Sequence, residues 1–179
     1  MKKLLKKKNN KIGILGGTFD PPHYGHVEIS KTAIKKLGLK KVFWTITNQN
    51  PFKSKPNFNL KKRIKLCKKI LRNQKKIKIK NLNKKQYSLN TYNLLSCWKN
   101  KNKKIKIFFL MGADNIINFH KWYKWKKIPE LAKIVVFARP NYSTKALNSF
   151  ASKKLKKKDW MYINAKTMNI SSSLIRKFW

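Results

Sequence analysis

The sequence Lys11-Ile-Gly-Ile-Leu-Gly-Gly-Thr-Phe-Asp-Pro-Pro-His-Tyr-Gly-His26 carries the strongest structural signal in this chain. A short apolar run, Ile12 to Leu15, precedes a glycine turn, and two histidines three residues apart lead into a helical pattern. This order predicts a buried strand, a loop and the N-terminus of a helix. In open α/β sheets, the loops at the carboxyl ends of the strands are where ligands bind.

The residues of this loop are suited to binding a polyphosphate. Gly16 and Gly17 allow backbone N–H groups to approach phosphate oxygens closely, and the following helix N-terminus adds partial positive charge. His23 and His26 can donate hydrogen bonds to phosphate oxygens without a metal. The stretch therefore predicts a binding loop for a nucleoside triphosphate.

Further strand patterns alternate with helical ones along the rest of the chain. Several of these strands are near-continuous apolar runs, as expected for parallel strands covered on both faces. The alternation predicts an α/β fold, a Rossmann-like parallel sheet with helices on both faces, in a single domain. The predicted strands are Ile12–Leu15, Val42–Thr47, Ile77–Ile79, Ile105–Met111, Ile134–Ala138 and Trp160–Ile163.

Helix boundaries are also marked in the sequence. Gly38 follows an apolar stripe at helical spacing and suits a left-handed C-terminal cap. Asn59 precedes a second stripe and is a candidate N-cap. We expect a basic N-terminal extension over residues 1–10 and the folded domain over residues 11–179.

The chain is strongly basic, with 46 Lys and Arg residues against five acidic ones and a formal net charge of +41. Such a charge is also typical of RNA-binding proteins, which is the alternative class of function here. However, only four of the basic residues are arginines, the residue that nucleic-acid readers favour. We therefore expect a lysine-coated surface that attracts anionic substrates, with no specific nucleic-acid partner.

Neither a membrane nor a metal-binding role is indicated. The first ten residues are basic and lack the apolar segment of a signal peptide, and no apolar run is long enough to span a membrane. A cytoplasmic location is expected. Two histidines without cysteines or a paired carboxylate make a poor zinc site, so no protein-bound metal is predicted.

Six short motifs together resemble the nicotinate-nucleotide adenylyltransferases of the HxGH nucleotidyltransferase superfamily. The resemblance covers most of the chain, in the order found in that family. The motifs are Gly16-Gly-Thr-Phe-Asp-Pro-Pro-His-Tyr-Gly-His26, Asn50-Pro-Phe-Lys53, Tyr87-Ser-Leu-Asn-Thr91, Met111-Gly-Ala-Asp114 with Trp122-Tyr-Lys-Trp125, Ala138-Arg-Pro140, and Ile170-Ser-Ser-Ser-Leu-Ile-Arg176.

The resemblance implies transfer of AMP from ATP to nicotinate mononucleotide, with Mg²⁺ carried on the ATP phosphates. His23 and His26 would be the catalytic pair that contacts the triphosphate. Serines and an arginine at a helix start also suit a polyphosphate, although serine capping alone would explain the serines. The implied phosphate-binding residues are Gly16, Gly17, Thr18, Lys53, Ser171, Ser172 and Arg176.

By the same resemblance, the ring of Trp122 would stack on the pyridine ring, and backbone N–H groups near Tyr123 and Ser88 would hold the nicotinate carboxylate. Such donors suit a carboxylate, whereas an amide NH₂ would face them donor to donor. Asp114 would lie in the ATP nucleoside region, or serve only as a cap after Gly112.

Two positions depart from the family pattern. Asn90 stands where the family usually carries aspartate, and Phe52 replaces a histidine often found in the second motif, which leaves Lys53 as that motif's phosphate contact. A rival interpretation is an adenylyltransferase of the same superfamily that acts on nicotinamide mononucleotide or phosphopantetheine. The sequence does not indicate an oligomeric state.

Overall fold

The computed structural model of the protein describes residues 10–49, 55–80, 90–164 and 170–178. Six strands run through these residues, and each predicted strand is confirmed to within about two residues at its ends. They are β1 (Lys11–Gly17), β2 (Lys41–Ile46), β3 (Ile77–Ile79), β4 (Lys106–Gly112), β5 (Lys133–Phe137) and β6 (Trp160–Ile163).

The strands form one sheet in the order β3-β2-β1-β4-β5-β6, and every neighbouring pair is parallel. The order reverses between β1 and β4, where Leu15 lies opposite Leu110. Crossover connections leave these two adjacent strands in opposite directions, which opens a crevice at their carboxyl ends. The predicted Rossmann-like α/β domain is confirmed.

Helices connect the strands. The described helices are α1 (Tyr24–Leu37), α2 (Leu60–Ile70), α3 (Thr91–Lys101), α4 (Ala113–Ile117), α5 (Ile128–Leu131), α6 (Ser143–Leu147), α7 (Phe150–Lys154) and α8 (Ser172–Arg176), with single 3₁₀ turns at Phe119–Lys121 and Trp125–Lys127. Within the described residues, none of the helices has the length and apolar character needed to cross a membrane.

The predicted caps are confirmed. Gly38 ends α1 with a φ of 61°, in the left-handed region where glycine avoids the strain of a side chain. Asn59 accepts a hydrogen bond from the N–H of Lys62 at 2.9 Å and so begins α2. Asn90 caps α3 in the same way by accepting from the N–H of Asn93 at 3.0 Å.

Alternate residues of the strands supply two apolar layers. Ile14 and Phe109 belong to one buried cluster, and Leu15 and Leu110 to another. Because both faces of the sheet are buried, several strands carry near-continuous apolar runs rather than alternating ones, as the sequence predicted. The separation of residues 1–10 from the domain stays a prediction, since residues 1–9 lie outside the described part.

Candidate active site

A cleft of about 540 Å³ opens at the carboxyl ends of β1 and β4. All predicted site residues that the structure describes line this one cleft, although they come from distant parts of the chain. They are Gly16, Gly17, Thr18, His23, His26, Asp114, Trp122, Tyr123, Ser171, Ser172 and Arg176. The predictions for Phe52, Lys53 and Ser88 lie outside the described residues.

The two histidines lie side by side at the start of α1. Their ring centroids are 3.9 Å apart, with the planes inclined at 39°. His23 is the N-cap of α1, and its backbone N–H donates to Nδ1 of His26 at 3.2 Å. Since Nδ1 of His26 accepts a hydrogen bond, the proton of a neutral His26 is assigned to Nε2, which leaves an N–H donor on the other side of the ring.

A steric constraint explains why a glycine, Gly25, lies between the two histidines. A Cβ at Gly25 would lie 2.9 Å from Nδ1 of His23 and 3.3 Å from Cγ2 of Ile170. A side chain there would displace the His23 ring or the segment that leads into α8. Gly25 stands inside the sequence motif, but its role could be recognised only from the fold.

His23 is held as a neutral imidazole. Burial, and secondarily the positive charge of Arg139, lower the pKa of His23 from 6.5 to about 4. In the ligand-free protein at neutral pH, the His23 side chain is therefore a neutral imidazole that can take part in hydrogen bonds.

Contacts with core residues fix the position of His26. Its ring centroid lies 4.8 Å from that of Phe19, and Phe19 in turn stacks on the buried ring of Trp44 at 4.7 Å. The indole N–H of Trp44 donates to Oγ of Ser30 at 2.9 Å, and that hydroxyl donates to the carbonyl of His26 at 2.8 Å. The core thus determines where the His26 backbone and ring lie.

Asp20 joins the histidine loop to the segment before α2. Its side chain is 2 % exposed, and its carboxylate accepts the N–H groups of Asn57 and Phe58 at 2.7 and 2.9 Å. Asn57 and Phe58 are 37 and 38 residues away in the sequence, so these hydrogen bonds are tertiary contacts.

Helix α8 is bound to the same loop. Ser172 Oγ donates to the carbonyl of Pro21 at 2.8 Å, while a guanidinium nitrogen of Arg176 donates to the carbonyl of Asp20 and lies 3.5 Å from its carboxylate. Ser171 is the N-cap of α8 and accepts the N–H of Leu174 at 3.0 Å. The capping that the sequence left open for the serines is therefore present.

Asp114 and Arg139 form an ion pair on the β4 side of the cleft, with 2.7 Å between their nearest nitrogen and oxygen atoms. Gly112, not Asp114, is the N-cap of α4, and Asp114 occupies the second position of the helix. A carboxylate there also interacts favourably with the helix N-terminus. The alternative of Asp114 as the capping residue is thus wrong, while its place in the cleft is as expected.

Aromatic rings form the far wall. The Trp122 ring packs against Phe119 and Phe109, with centroid distances of 5.2 and 6.1 Å. Tyr123 is 52 % exposed and lies edge-on to Tyr92 at 6.2 Å. Trp122 therefore has a fixed position at the edge of the core and still presents surface to the cleft.

Comparisons with known proteins agree with this geometry. A family model described as cytidylyltransferase-like matches residues 14–178. A probable nicotinate-nucleotide adenylyltransferase of Pelagibacter ubique is 51% identical over 173 residues, which is 97% of this chain and 96% of that protein. Another, from Cereibacter sphaeroides, is 32% identical, with 92% of this chain and 95% of that protein covered.

The chain belongs to the nicotinate-nucleotide adenylyltransferase family.

Solved structures share the fold of this adenylyltransferase. Plasmodium falciparum nicotinic acid mononucleotide adenylyltransferase, complexed with NaAD, matches with a TM-score of 0.77 and 24% identity over 94% of this chain and 83% of that one. A putative nicotinate-nucleotide adenylyltransferase from Vibrio parahaemolyticus has a TM-score of 0.65 at 22% identity, over 94% of this chain and 85% of that one.

The carboxylates of the site are already engaged with protein groups. Among the described residues, no three His, Cys, Asp or Glu side chains are grouped so as to hold a metal ion. Asp20 and Asp114, which both line the cleft, are each paired with an arginine, and Glu28 in the same lining lies 3.4 Å from Lys31.

Sequence reasoning missed a third arginine that holds the site together. Arg63 is buried in α2 and donates hydrogen bonds to four backbone carbonyls near the cleft. A signal was present, because Arg63 lies on the apolar face of α2 in a chain with few arginines. Three of the four arginines make polar contacts near the cleft: Arg63 and Arg176 with backbone carbonyls, and Arg139 with the carboxylate of Asp114.

Proposed function

We propose that this chain transfers the AMP moiety of ATP to nicotinate mononucleotide, forming nicotinic acid adenine dinucleotide and pyrophosphate in NAD biosynthesis. The observation that carries this proposal is the histidine pair, with rings 3.9 Å apart at the crevice between β1 and β4. Membership of the nicotinate-nucleotide adenylyltransferase family supports the same reaction.

The triphosphate of ATP binds at the start of α1. The Nε2–H of His26 donates to an oxygen of the α-phosphate, and His23 provides a second hydrogen bond. Backbone N–H groups at Gly16, Gly17 and Thr18, together with the N-terminus of α1, add partial positive charge toward the anion.

The β- and γ-phosphates extend toward α8. Ser172 and Arg176 are already bonded to the loop at Pro21 and Asp20, so they contribute by holding that loop and with their remaining donors. Ser171 offers its hydroxyl beside the start of the short helix. Lys53 provides a further contact with the phosphates.

The pyridine ring of the mononucleotide stacks on Trp122 at the opposite wall. Backbone N–H groups near Tyr123 and Ser88 bind its carboxylate, because two acceptor oxygens match N–H donors and an amide NH₂ does not. Asp114 binds in the nucleoside region of ATP, where its ion pair with Arg139 fixes its orientation.

The reaction is a direct in-line displacement. A phosphate oxygen of nicotinate mononucleotide attacks the α-phosphorus of ATP, the bond to the β-phosphate oxygen breaks, and pyrophosphate leaves with that electron pair. The nucleophile is already anionic at neutral pH, so neither a general base nor a covalent enzyme intermediate is required. The protein contributes positioning and stabilisation of the developing charge.

Nucleotidyltransferases of this family use a divalent metal with ATP. We assign that metal as Mg²⁺, which neutralises phosphate charge when bound. Asp20 and Asp114 are each paired with an arginine and Glu28 with Lys31, so a Mg²⁺ ion would be carried mainly on the ATP phosphates and water. A cytoplasmic location and the absence of a specific nucleic-acid partner complete the proposal.

Product analysis tests the reaction. Purified protein is incubated with Mg-ATP and nicotinate mononucleotide, and the products are separated and identified by mass. We expect equimolar nicotinic acid adenine dinucleotide and pyrophosphate. Phosphate release with ADP formation, or no reaction together with RNA binding that persists near physiological salt, would refute it.

A further inference from the structure

Arg63 is an unusual residue for its position. The residue is 2 % exposed and lies in α2, beside the fully buried Cys67 on the helix face that packs against the core. Buried arginines are rare unless every donor finds a partner, because the charge is costly to remove from water. Its partners therefore indicate what the residue does.

Those partners are backbone carbonyls from three separate segments. One guanidinium nitrogen donates to Thr18 at 2.6 Å and to Thr47 at 2.7 Å. The other donates to Asn48 at 3.1 Å, and Nε donates to Phe58 at 3.0 Å. A single side chain thus joins the loop after β1, the end of β2 and the segment that leads into α2.

Two of these carbonyls belong to residues that line the cleft. Thr18 and Thr47 both contribute to its wall, next to the histidine pair. Phe58 is held from both sides, since its carbonyl accepts from Arg63 and its N–H donates to Asp20. The same Asp20 carboxylate lies 3.5 Å from Arg176 of α8. The network therefore extends from α2 to both phosphate-facing elements.

We propose that Arg63 is a positioning residue for phosphate transfer, which holds the loop after β1 and the end of β2 in the arrangement that the reaction requires. This inference rests on the proposed adenylyltransferase function. A planar fork with five donors can satisfy four carbonyls in fixed directions, whereas the ammonium of lysine has three donors at a single point. A positive charge alone would therefore not replace the guanidinium of Arg63.

Arg63→Lys tests the proposal, with Arg72→Lys as the matched control, since Arg72 is exposed just after α2. We expect kcat of Arg63→Lys, corrected for the folded fraction by near-ultraviolet circular dichroism, to fall about 100-fold. The control should remain within about twofold. In Arg63→Ala, guanidinium at millimolar concentration should restore much of kcat, and ethylammonium should not.

Amide hydrogen exchange gives a readout that is independent of catalysis. The N–H groups of Asn57 and Phe58 should exchange faster in Arg63→Lys than in the control, because the carbonyl of Phe58 loses its hydrogen bond from Nε of Arg63. If Arg63→Lys does not fold, Asp20→Asn loosens the same segment from the other side and should lower kcat about tenfold.

The outcomes separate this inference from the proposed function. Absence of turnover by the wild-type protein refutes the reaction. Normal turnover by wild type and by folded Arg63→Lys, or rescue by ethylammonium as efficient as by guanidinium, refutes the positioning role. If Arg63→Lys does not fold, wild-type kcat in Asp20→Asn refutes it as well.

Discussion

The two ends of the cleft are built by different interactions. At the phosphate end, formed by the loop after β1 together with α8, polar side chains are bonded to backbone, as in the contacts of Asp20 with Phe58 and of Ser172 with Pro21. At the ring end, formed by Trp122 and Tyr123, the side-chain contacts are mainly aromatic packing, together with a cation–π contact of Lys124 with Tyr123.

This difference fits the proposed division of the cleft between phosphate transfer and ring binding. Hydrogen bonds are directional, so a network of them fixes donor positions to the precision that charge stabilisation at phosphorus requires. Stacking tolerates small shifts and mainly contributes binding energy and ring selectivity. Changes at the phosphate end should therefore lower kcat, and changes at the ring end should raise KM.

His26→Ala should have the largest effect. Removing the Nε2–H donor should lower kcat by about 100- to 1,000-fold, as for loss of one donor to a developing charge in other enzymes. The KM for nicotinate mononucleotide should change little. Steady-state kinetics, with circular dichroism as the control for folding, measures both. A kcat/KM near the wild-type value would remove His26 from the mechanism.

Gly25→Ala should have the second-largest effect on kcat. The new methyl group would lie 2.9 Å from Nδ1 of His23, so the ring must move while both histidines remain present. We expect kcat to fall about 30-fold, since shifts of about 1 Å at a reacting centre can cost up to 100-fold. Unchanged kcat would indicate that the exact placement of His23 does not matter.

Trp122→Ala tests the ring end. Loss of the stacking surface should raise the KM for nicotinate mononucleotide about tenfold, which corresponds to about 1.4 kcal/mol. The KM for ATP and kcat should change less than about threefold. Phe150→Ala is a useful control, because Phe150 is an exposed aromatic residue outside the cleft lining. An unchanged mononucleotide KM would contradict the stacking role.

The smallest expected effect is that of His23 on the pH dependence of the free energy of unfolding. The pKa of His23 is about 4 in the folded protein and about 6.5 when unfolded, so between these pH values the unfolded chain binds more protons. The contribution of His23 to the free energy of unfolding therefore rises with pH from about 4 to 6.5 and is constant above. His23→Gln should have a shallower pH dependence of urea unfolding in that range. An equal slope would contradict the buried neutral imidazole.

Local patterns predicted most of the fold. The six strands follow from apolar runs buried on both sheet faces, and Gly38 and Asn59 could be recognised because capping depends on neighbours within one turn. Strand and helix patterns alone predicted only the histidine loop as a binding site. The other cleft residues were predicted as a set from the resemblance of the six motifs to a known family.

Long-range polar contacts could not be predicted in this way. The sequence motif contains Asp20, but its bonds to Asn57 and Phe58 depend on how β1 and α2 pack together. Arg63 likewise acts on carbonyls 15 and 45 residues away. The lowered pKa of His23 depends on burial and on Arg139, which comes from the other half of the sheet.

The most direct test of the division between the two ends compares acceptors in one assay. Pyrophosphate release by the wild-type protein is measured with Mg-ATP and nicotinate mononucleotide, nicotinamide mononucleotide or phosphopantetheine. We predict turnover with the nicotinate compound and a kcat/KM at least about 100-fold lower for the other two. Equal or greater turnover with either of the others would leave the phosphate end intact and contradict the assignment of the ring end.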